Sequence, residues 1–221
     1  MELIQNIYKS RFTILEMLEN RGYDVNRYKN FTVDEVNVWF NQSTKNKSST
    51  LTKPGPLDLL VEKEGMPKTY IKYRLERYRA NKPVIKQIEK IYSDEEDVGV
   101  LNKDDTLVLI VIENMNQLLN LEKPLANLYD EYGYYVQAFN LDILQINITK
   151  SFLTSPHRIL SEKETNELLV RLDAKKEDLP IIRRLDPMAK HYAMKPGDIC
   201  EIKRFTETSG IGYYYRHCVH V

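Results

Sequence analysis

Residues 107–112 read Leu-Val-Leu-Ile-Val-Ile, six apolar side chains in a row with no polar position to turn toward water. The run is far below the roughly 20 residues that span a bilayer, and it lacks the alternation of a strand with one wet face. Residues 106–113 therefore read as the central strand of a sheet covered on both sides. Such a strand commits its neighbours: helices must lie above and below it, and other strands must flank it.

The flanking sequence supplies both. Ile4, Ile7, Tyr8, Phe12, Leu15 and Leu18 recur at three- and four-residue spacing, the stripe of a helix that stops at Asn20-Arg21-Gly22 with glycine as a left-handed cap. Thr32-Val33-Asp34-Glu35 reads as a capping box, with Phe31 and Val36 as its hydrophobic staple and Trp39 and Phe40 on the buried side. The polar stretch 41–56, ending in Pro-Gly-Pro, predicts a mobile surface loop. LDLLV at 57–61 predicts a short buried strand. In TYIKYRLE at 69–76, Ile71, Tyr73 and Leu75 alternate with Lys72, Arg74 and Glu76, a half-buried strand that pairs with it. Pro83 opens a helix with the stripe Val84, Ile85, Ile88, Ile91 and Tyr92, running into the acidic 93–97. A helical segment at about 115–130, with Pro124 as a break or restart, precedes the strand-like YYVQAF and ILQINIT. The order helix, helix, strand, strand, helix, strand, helix, strand describes an α/β layered domain ending near residue 146.

The remainder, 147–221, is a second domain. Ser161 and Glu164 form a capping box on a helix whose Leu168, Leu169 and Leu172 face inward, and Pro180 closes the segment after it. Asp186-Pro187 starts a short helix through Tyr192, which yields to the turn Lys195-Pro196-Gly197-Asp198. Residues 198–205 and 213–221 are two strands of a hairpin joined through TETSGIG. The fold class is α+β in two domains, 1–146 and 147–221.

With 32 Lys and Arg against 32 Asp and Glu, the chain as a whole exerts no pull on nucleic acid or an anionic membrane. Contact with either must come from a local patch. Two cysteines and no apolar leader argue for a reducing, intracellular setting and against a secreted disulfide scaffold. Cys200, Cys218, His217 and His220 are of zinc-ligating type, but their strand positions alternate in face and no CxxC spacing occurs. They read as core cysteines and an exposed histidine, and neither metal nor cofactor is expected. The patch at 68–90 is the strongest local charge: Lys68, Lys72, Arg74, Arg77, Arg79, Lys82, Lys86 and Lys90 against Glu76 and Glu89, interleaved with Tyr70, Tyr73 and Tyr78. Such a face neutralises phosphates, although a solvated strand face is the commoner reason for one. Asp58 stands where an α/β nuclease carries its first metal-binding acid, but Tyr70-Ile71-Lys72 places tyrosine where the second acid is needed. P-loop, dinucleotide, serine-elbow and zincin motifs are absent from the sequence.

The C-terminal third resembles the RNA polymerase subunit 5 family, the common subunit of eukaryotic nuclear polymerases, whose archaeal relative is a short protein made of the C-terminal domain alone. The resemblance rests on INIT at 146–149, His157, SEKETNELLVRL, EDLPIIRRLDPMAKHY, MKPGDICEIKR and FTETSGIGYYYR, in order over some 70 residues. RFTILEMLENRGY at 11–23, LDLLV and LVLIVIENM at 107–115 resemble the same family's N-terminal jaw domain, with a longer loop at 41–56. Two departures stand out: Ile211 where the family usually has arginine, and Ser151 where histidine is common.

The resemblance implies a three-layer, nuclease-like α/β jaw and a small α/β assembly domain with a terminal β-hairpin. It implies a non-catalytic subunit of a multisubunit DNA-directed RNA polymerase, whose assembly domain docks on the largest subunit and whose jaw lies near downstream duplex DNA. Other polymerase subunits are the expected partners, with no membrane and no homo-oligomer. Matching positions include Leu179, Pro180, Gly197, Thr206, Thr208 and Gly210, which shape turns. Contact with the largest subunit falls to His157, Asp186, Pro187, Ala189, Tyr192, Glu207, Tyr215 and Arg216, with Arg216 and Glu207 the stronger candidates because no turn requires their charge. Lys68, Lys72, Arg74, Arg77, Arg79 and Lys82 are expected near DNA. A jaw argues against an archaeal origin; a large-DNA-virus polymerase, acting in virion and host cytoplasm, or a nuclear cellular one fits. The rivals are a metal-dependent nuclease using Asp58 with Glu62 or Glu64, and an adaptor that binds polymerase transiently.

Overall fold

The computed structural model describes residues 2–45, 54–75, 84–92, 101–113, 115–207 and 210–220. Pro83, the acidic 93–97, Arg77, Arg79, Lys82, Thr208 and residues 46–53 of the 41–56 stretch lie outside them. The chain divides into two compact units, Met1–Ile146 and Asn147–Val221.

The first unit is built around β3 (Thr106–Val111), buried at every position. Its sheet runs β1 (Leu59–Lys63), β2 (Met66–Arg74), β3, β4 (Tyr135–Asn140); β1 and β2 form an antiparallel hairpin and the other pairs are parallel. Side chains alternate between the sheet's two faces. Val108 and Ile110 join Ile71 and Tyr73 under α1 (Glu2–Asn20) and α2 (Val33–Lys45). Leu107, Leu109 and Val111 join Tyr70 under α3 (Val84–Ile91) and α4 (Met115–Tyr132).

Local signals fix the ends of these helices. Gly22, at φ 93°, ends α1, its N–H donating to the Glu19 carbonyl at 2.8 Å. Thr32 and Glu35 close the capping box on α2 reciprocally, Thr32 N to Glu35 Oε2 at 2.7 Å and Glu35 N to Thr32 Oγ1 at 3.2 Å. Helix α2 reaches Lys45, so the predicted loop at 41–56 begins as helix.

Four expectations for the first unit and the segment that follows it need correction. Phe12 lies on the exposed side of α1, and Ile14 and Met17 take the core position instead. Helix α4 continues through Pro124; Leu118, Leu125 and Leu128, buried against the sheet, hold together what a missing N–H would otherwise break. Residues 143–149 are not a strand but two 3-10 turns, Ile143–Gln145 and Ile148–Lys150. Strand β2 is buried on both faces from Thr69 to Tyr73, so its lysine at 72 is interior.

The second unit holds a sheet in the order β5 (His157–Ile159), β7 (Ile199–Thr206), β8 (Gly210–Val219), β6 (Ile181–Arg183). The β7–β8 hairpin is the expected one, with β8 starting at Gly210; the three-residue edge strands were not legible as strands. Helix α5 (Glu162–Leu172) carries the Ser161–Glu164 capping box. It buries Thr165 and Leu168, half-buries Leu169 and leaves Leu172 exposed, contrary to the predicted inward face. Asp186 caps α6 (Pro187–His191) by accepting from Met188 N at 2.8 Å, with proline in the first turn.

Leu109→Ala is expected to cost about 2–5 kcal/mol, because Leu109 is fully buried within a sheet that cannot collapse into the void. Urea unfolding measures it; a loss below about 1 kcal/mol would contradict the two-sided core.

Candidate functional site

In the first unit the chemically suggestive group is Asp58, which enters β1 next to a segment that α1 holds in place. Arg11 of α1 is buried between Phe31 and Trp39, 5.2 and 4.9 Å from their ring centres, and donates from Nη1 to the Leu57 carbonyl at 2.8 Å. The Asp58 carboxylate points to the face of β2 that carries Tyr70 and Lys72. Oδ2 accepts from Lys72 Nζ at 2.7 Å, from Tyr70 Oη at 2.9 Å and from the Gly55 amide, and Oδ1 accepts from Tyr73 N at 3.1 Å. Its side chain is 3% exposed and that of Lys72 9%. Burial, then the neighbouring Asp58, pushes the Tyr70 phenol well above its usual pKa, so it stays protonated as a donor.

A nuclease would need this carboxylate open to a divalent cation with a second acid beside it. Here an ammonium occupies the cation's place and a phenol the second acid's. Glu62 is exposed and pairs with Lys68 at 3.5 Å. Among the described residues no group of three or more His, Cys, Asp or Glu side chains is arranged to hold a metal. Lys72 is thereby corrected from a DNA-facing cation to half of a buried ion pair. Lys68 is partly exposed and Arg74 half-buried at the end of β2.

In the second unit, the expected contact residues are spread over the fold. Ala189 is 0% exposed and packs in the core with Cys200 and Cys218, where its side chain shapes the unit's interior and not its surface. Burial pushes these thiols up, to about 11 for Cys200 and about 12 for Cys218, which keeps them protonated and poor metal ligands. Asp186 is used as the cap of α6, beside an exposed Pro187, and Tyr192 packs edge-on against His191. His157 is half-buried with Nδ1 2.7 Å from the Ser155 carbonyl, and burial lowers its pKa. Arg216 Nη1 donates to the Ile181 carbonyl at 2.9 Å, a bond that ties β6 to β8 and gives this charge a structural task the sequence did not reveal. Glu207 is exposed where the hairpin turns.

A groove of about 350 Å³ lies between α5 and the sheet, where Arg158, Arg171, Glu201 and Tyr215 meet. Arg158 pairs with both Glu164 and Glu201, while Tyr215 Oη lies 3.2 Å from Glu201 and accepts from Arg171 at 3.3 Å. The Ser161 amide first, and Arg158 next, hold Glu164 down to about 2. These charges answer one another. Residue patterning did not reveal the apolar exposure of this unit: on the hairpin Phe205 is 87% exposed, with Ile211, Tyr213 and Tyr214 also open to water, and in the 151–154 turn Phe152 is 100% and Leu153 90% exposed. The three consecutive tyrosines at 213–215 were the signal for the hairpin's part of it, since an arm with no covering layer exposes both faces.

Asp58→Ala is expected to destabilise the chain by about 3–5 kcal/mol, because it strands the Lys72 ammonium in the interior, and Asp58→Ala with Lys72→Met is expected to recover much of that loss. Denaturant unfolding of both variants measures it; a cost below about 1 kcal/mol for Asp58→Ala would mean the pair has no structural role.

Comparison with known proteins sets these features in a family. The model for the RNA polymerase Rpb5 C-terminal domain matches residues 146–218. DNA-directed RNA polymerase subunit Rpo5 of Pyrococcus horikoshii is 49% identical over 72 residues, 33% of this chain and 88% of the archaeal protein. The subunit rpabc1 of DNA-directed RNA polymerases I, II and III from Dictyostelium discoideum is 25% identical over 219 residues, 99% of this chain and 100% of that one. DNA-directed RNA polymerase subunit 5-like protein 1 of Arabidopsis thaliana is 25% identical over 225 residues, covering 98% and 97%. Both units thus have counterparts in the eukaryotic proteins, the second also in the short archaeal one, and the chain belongs to the RNA polymerase subunit 5 family.

Proposed function

We propose that the chain is a non-catalytic subunit of a multisubunit DNA-directed RNA polymerase and acts in transcription. The observation that carries the reading is the match of nearly the whole archaeal Rpo5 to residues of the second unit, together with alignment of the eukaryotic subunits along the full chain. The second unit, 147–221, is the assembly domain that docks on the largest subunit, and exposed aromatic side chains on the β7–β8 hairpin suit a protein interface better than water. The first unit, 1–146, is the jaw. Within its α/β layers Asp58 is closed off by Lys72, which supports a scaffold and not a hydrolase. Lys68 and Arg74, with Arg77, Arg79 and Lys82 following in sequence, are the cations proposed to lie near downstream duplex DNA. Among the described residues no helix is long and apolar enough to cross a membrane.

A tagged full-length chain purified from its native host at high salt is expected to carry the two very large polymerase subunits at one-to-one stoichiometry by quantitative mass spectrometry. Recovery alone, or with polymerase only in trace, would overturn the subunit reading. In the purified enzyme, charge reversal at Lys68, Arg74 and Arg79 is expected to flatten the salt dependence of promoter-complex stability; an unchanged slope would remove DNA contact from the proposal.

A further inference from the structure

The β7–β8 hairpin is longer than either strand that flanks it, and the hydrogen-bond parity of the sheet says what its uncovered edge offers. Cys218 N donates to the Asp198 carbonyl at 2.8 Å, so Cys218 turns its polar backbone toward β7. In the antiparallel register that pairs Ile199 with His217 and Thr206 with Gly210, the other even-numbered residues of β8 do the same. The odd-numbered ones face the opposite edge. There His217 N donates to the Pro180 carbonyl at 2.9 Å and Arg184 N donates to the Val219 carbonyl at 2.9 Å, closing the parallel ladder with β6.

That ladder stops at Pro180, which has no N–H to offer the next carbonyl, that of Tyr215. Beyond it Ile211, Tyr213 and Tyr215 direct their N–H and C=O groups outward from β8, and none of these groups has a backbone partner among the described residues. An exposed edge of this kind takes an added strand. The side chains define the strand's chemistry. Lys203 pairs across the hairpin with Tyr213 and Phe205 with Ile211 on one face, while Arg204 lies over the Tyr214 ring, 5.4 Å from its centre, on the other. Neither Lys203 nor Arg204 has an ion-pair partner among the described residues, and four of these neighbours are exposed apolar or aromatic side chains. Two unanswered cations beside an open backbone edge fit an extended segment that carries carboxylates among apolar side chains.

We infer that residues 211–215 of β8 receive an extended acidic segment of another polymerase subunit as an added β-strand, bonded to the backbone of Ile211, Tyr213 and Tyr215 and paired in charge with Lys203 and Arg204. The inference rests on the subunit reading above and specifies how that contact is made.

Hydrogen exchange with residue resolution, on the full chain alone and within purified polymerase, tests it. The amides of Ile211, Tyr213 and Tyr215 are expected to slow at least ten-fold in the complex, while those of Gly212 and Tyr214, already bonded to β7, are protected in both. Stoichiometric complex in which the three odd-numbered amides exchange at the free rate would overturn the added strand and leave the subunit reading standing. A chain recovered without polymerase would overturn both. Tyr213→Pro removes one outward N–H while sparing the ladder to β7, and is expected to lower polymerase recovery at least ten-fold with an unchanged circular dichroism spectrum. Lys203→Glu with Arg204→Glu is expected to do the same; recovery at the wild-type level by this pair would overturn the acidic character of the strand.

Discussion

Strand β3 has no solvent side, and most of the first unit follows from that constraint. A strand apolar on both faces must be sandwiched, so α1 and α2 cover Val108 and Ile110 while α3 and α4 cover Leu107, Leu109 and Val111. The same two layers enclose β2, which lies beside β3 in parallel register. Lys72 is thereby drawn inside, and an interior ammonium requires a carboxylate. Asp58 supplies it, and in doing so loses the open coordination that a metal-dependent reaction would need. The closed Asp58 site is thus a consequence of how the sheet is covered.

The second unit solves a different problem with less material. Its core clusters gather around Cys200, Ile202 and Ala189 on one side and Leu168 and Ile199 on the other. The edge strands β5 and β6 have three residues each, enough to cover the base of the β7–β8 hairpin but not its far end. Burial at the base and exposure at the tip divide the work of one hairpin. The base, with Arg216 holding the Ile181 carbonyl, fixes the fold, and the tip exposes Phe205, Ile211 and Tyr213 to water.

Features carried by local chemistry were legible in the sequence. The apolar run of β3, the two capping boxes, the glycine that ends α1 and the Asp-Pro start of α6 each depend on residues within a few positions of one another. What was not legible depends on tertiary surroundings. Lys72 alternates correctly for a solvent-facing residue, and only the second helical layer makes it interior. Pro124 breaks an isolated helix, yet α4 runs through it because the sheet holds both halves. Strands of three residues have no measurable period, so β5 and β6 exist only through their partners. Among the candidate contact residues, Ala189 was selected by resemblance, which does not separate a residue that shapes the unit from one that touches a partner. The exposed aromatic tip was visible as Tyr213-Tyr214-Tyr215, but its meaning depended on knowing where β6 ends.

If this chain is a built-in, non-catalytic part of a transcribing enzyme, it must be present in the assembled polymerase. An electron cryomicroscopy map of the polymerase purified through this chain, bound to a DNA template with a downstream duplex, tests it most directly. Density for both units is expected in every particle class, with the second unit seated on the largest subunit and the first beside the downstream duplex. A map of the active enzyme in which this chain is absent, or in which its first unit lies far from the duplex and its second touches no large subunit, would contradict it.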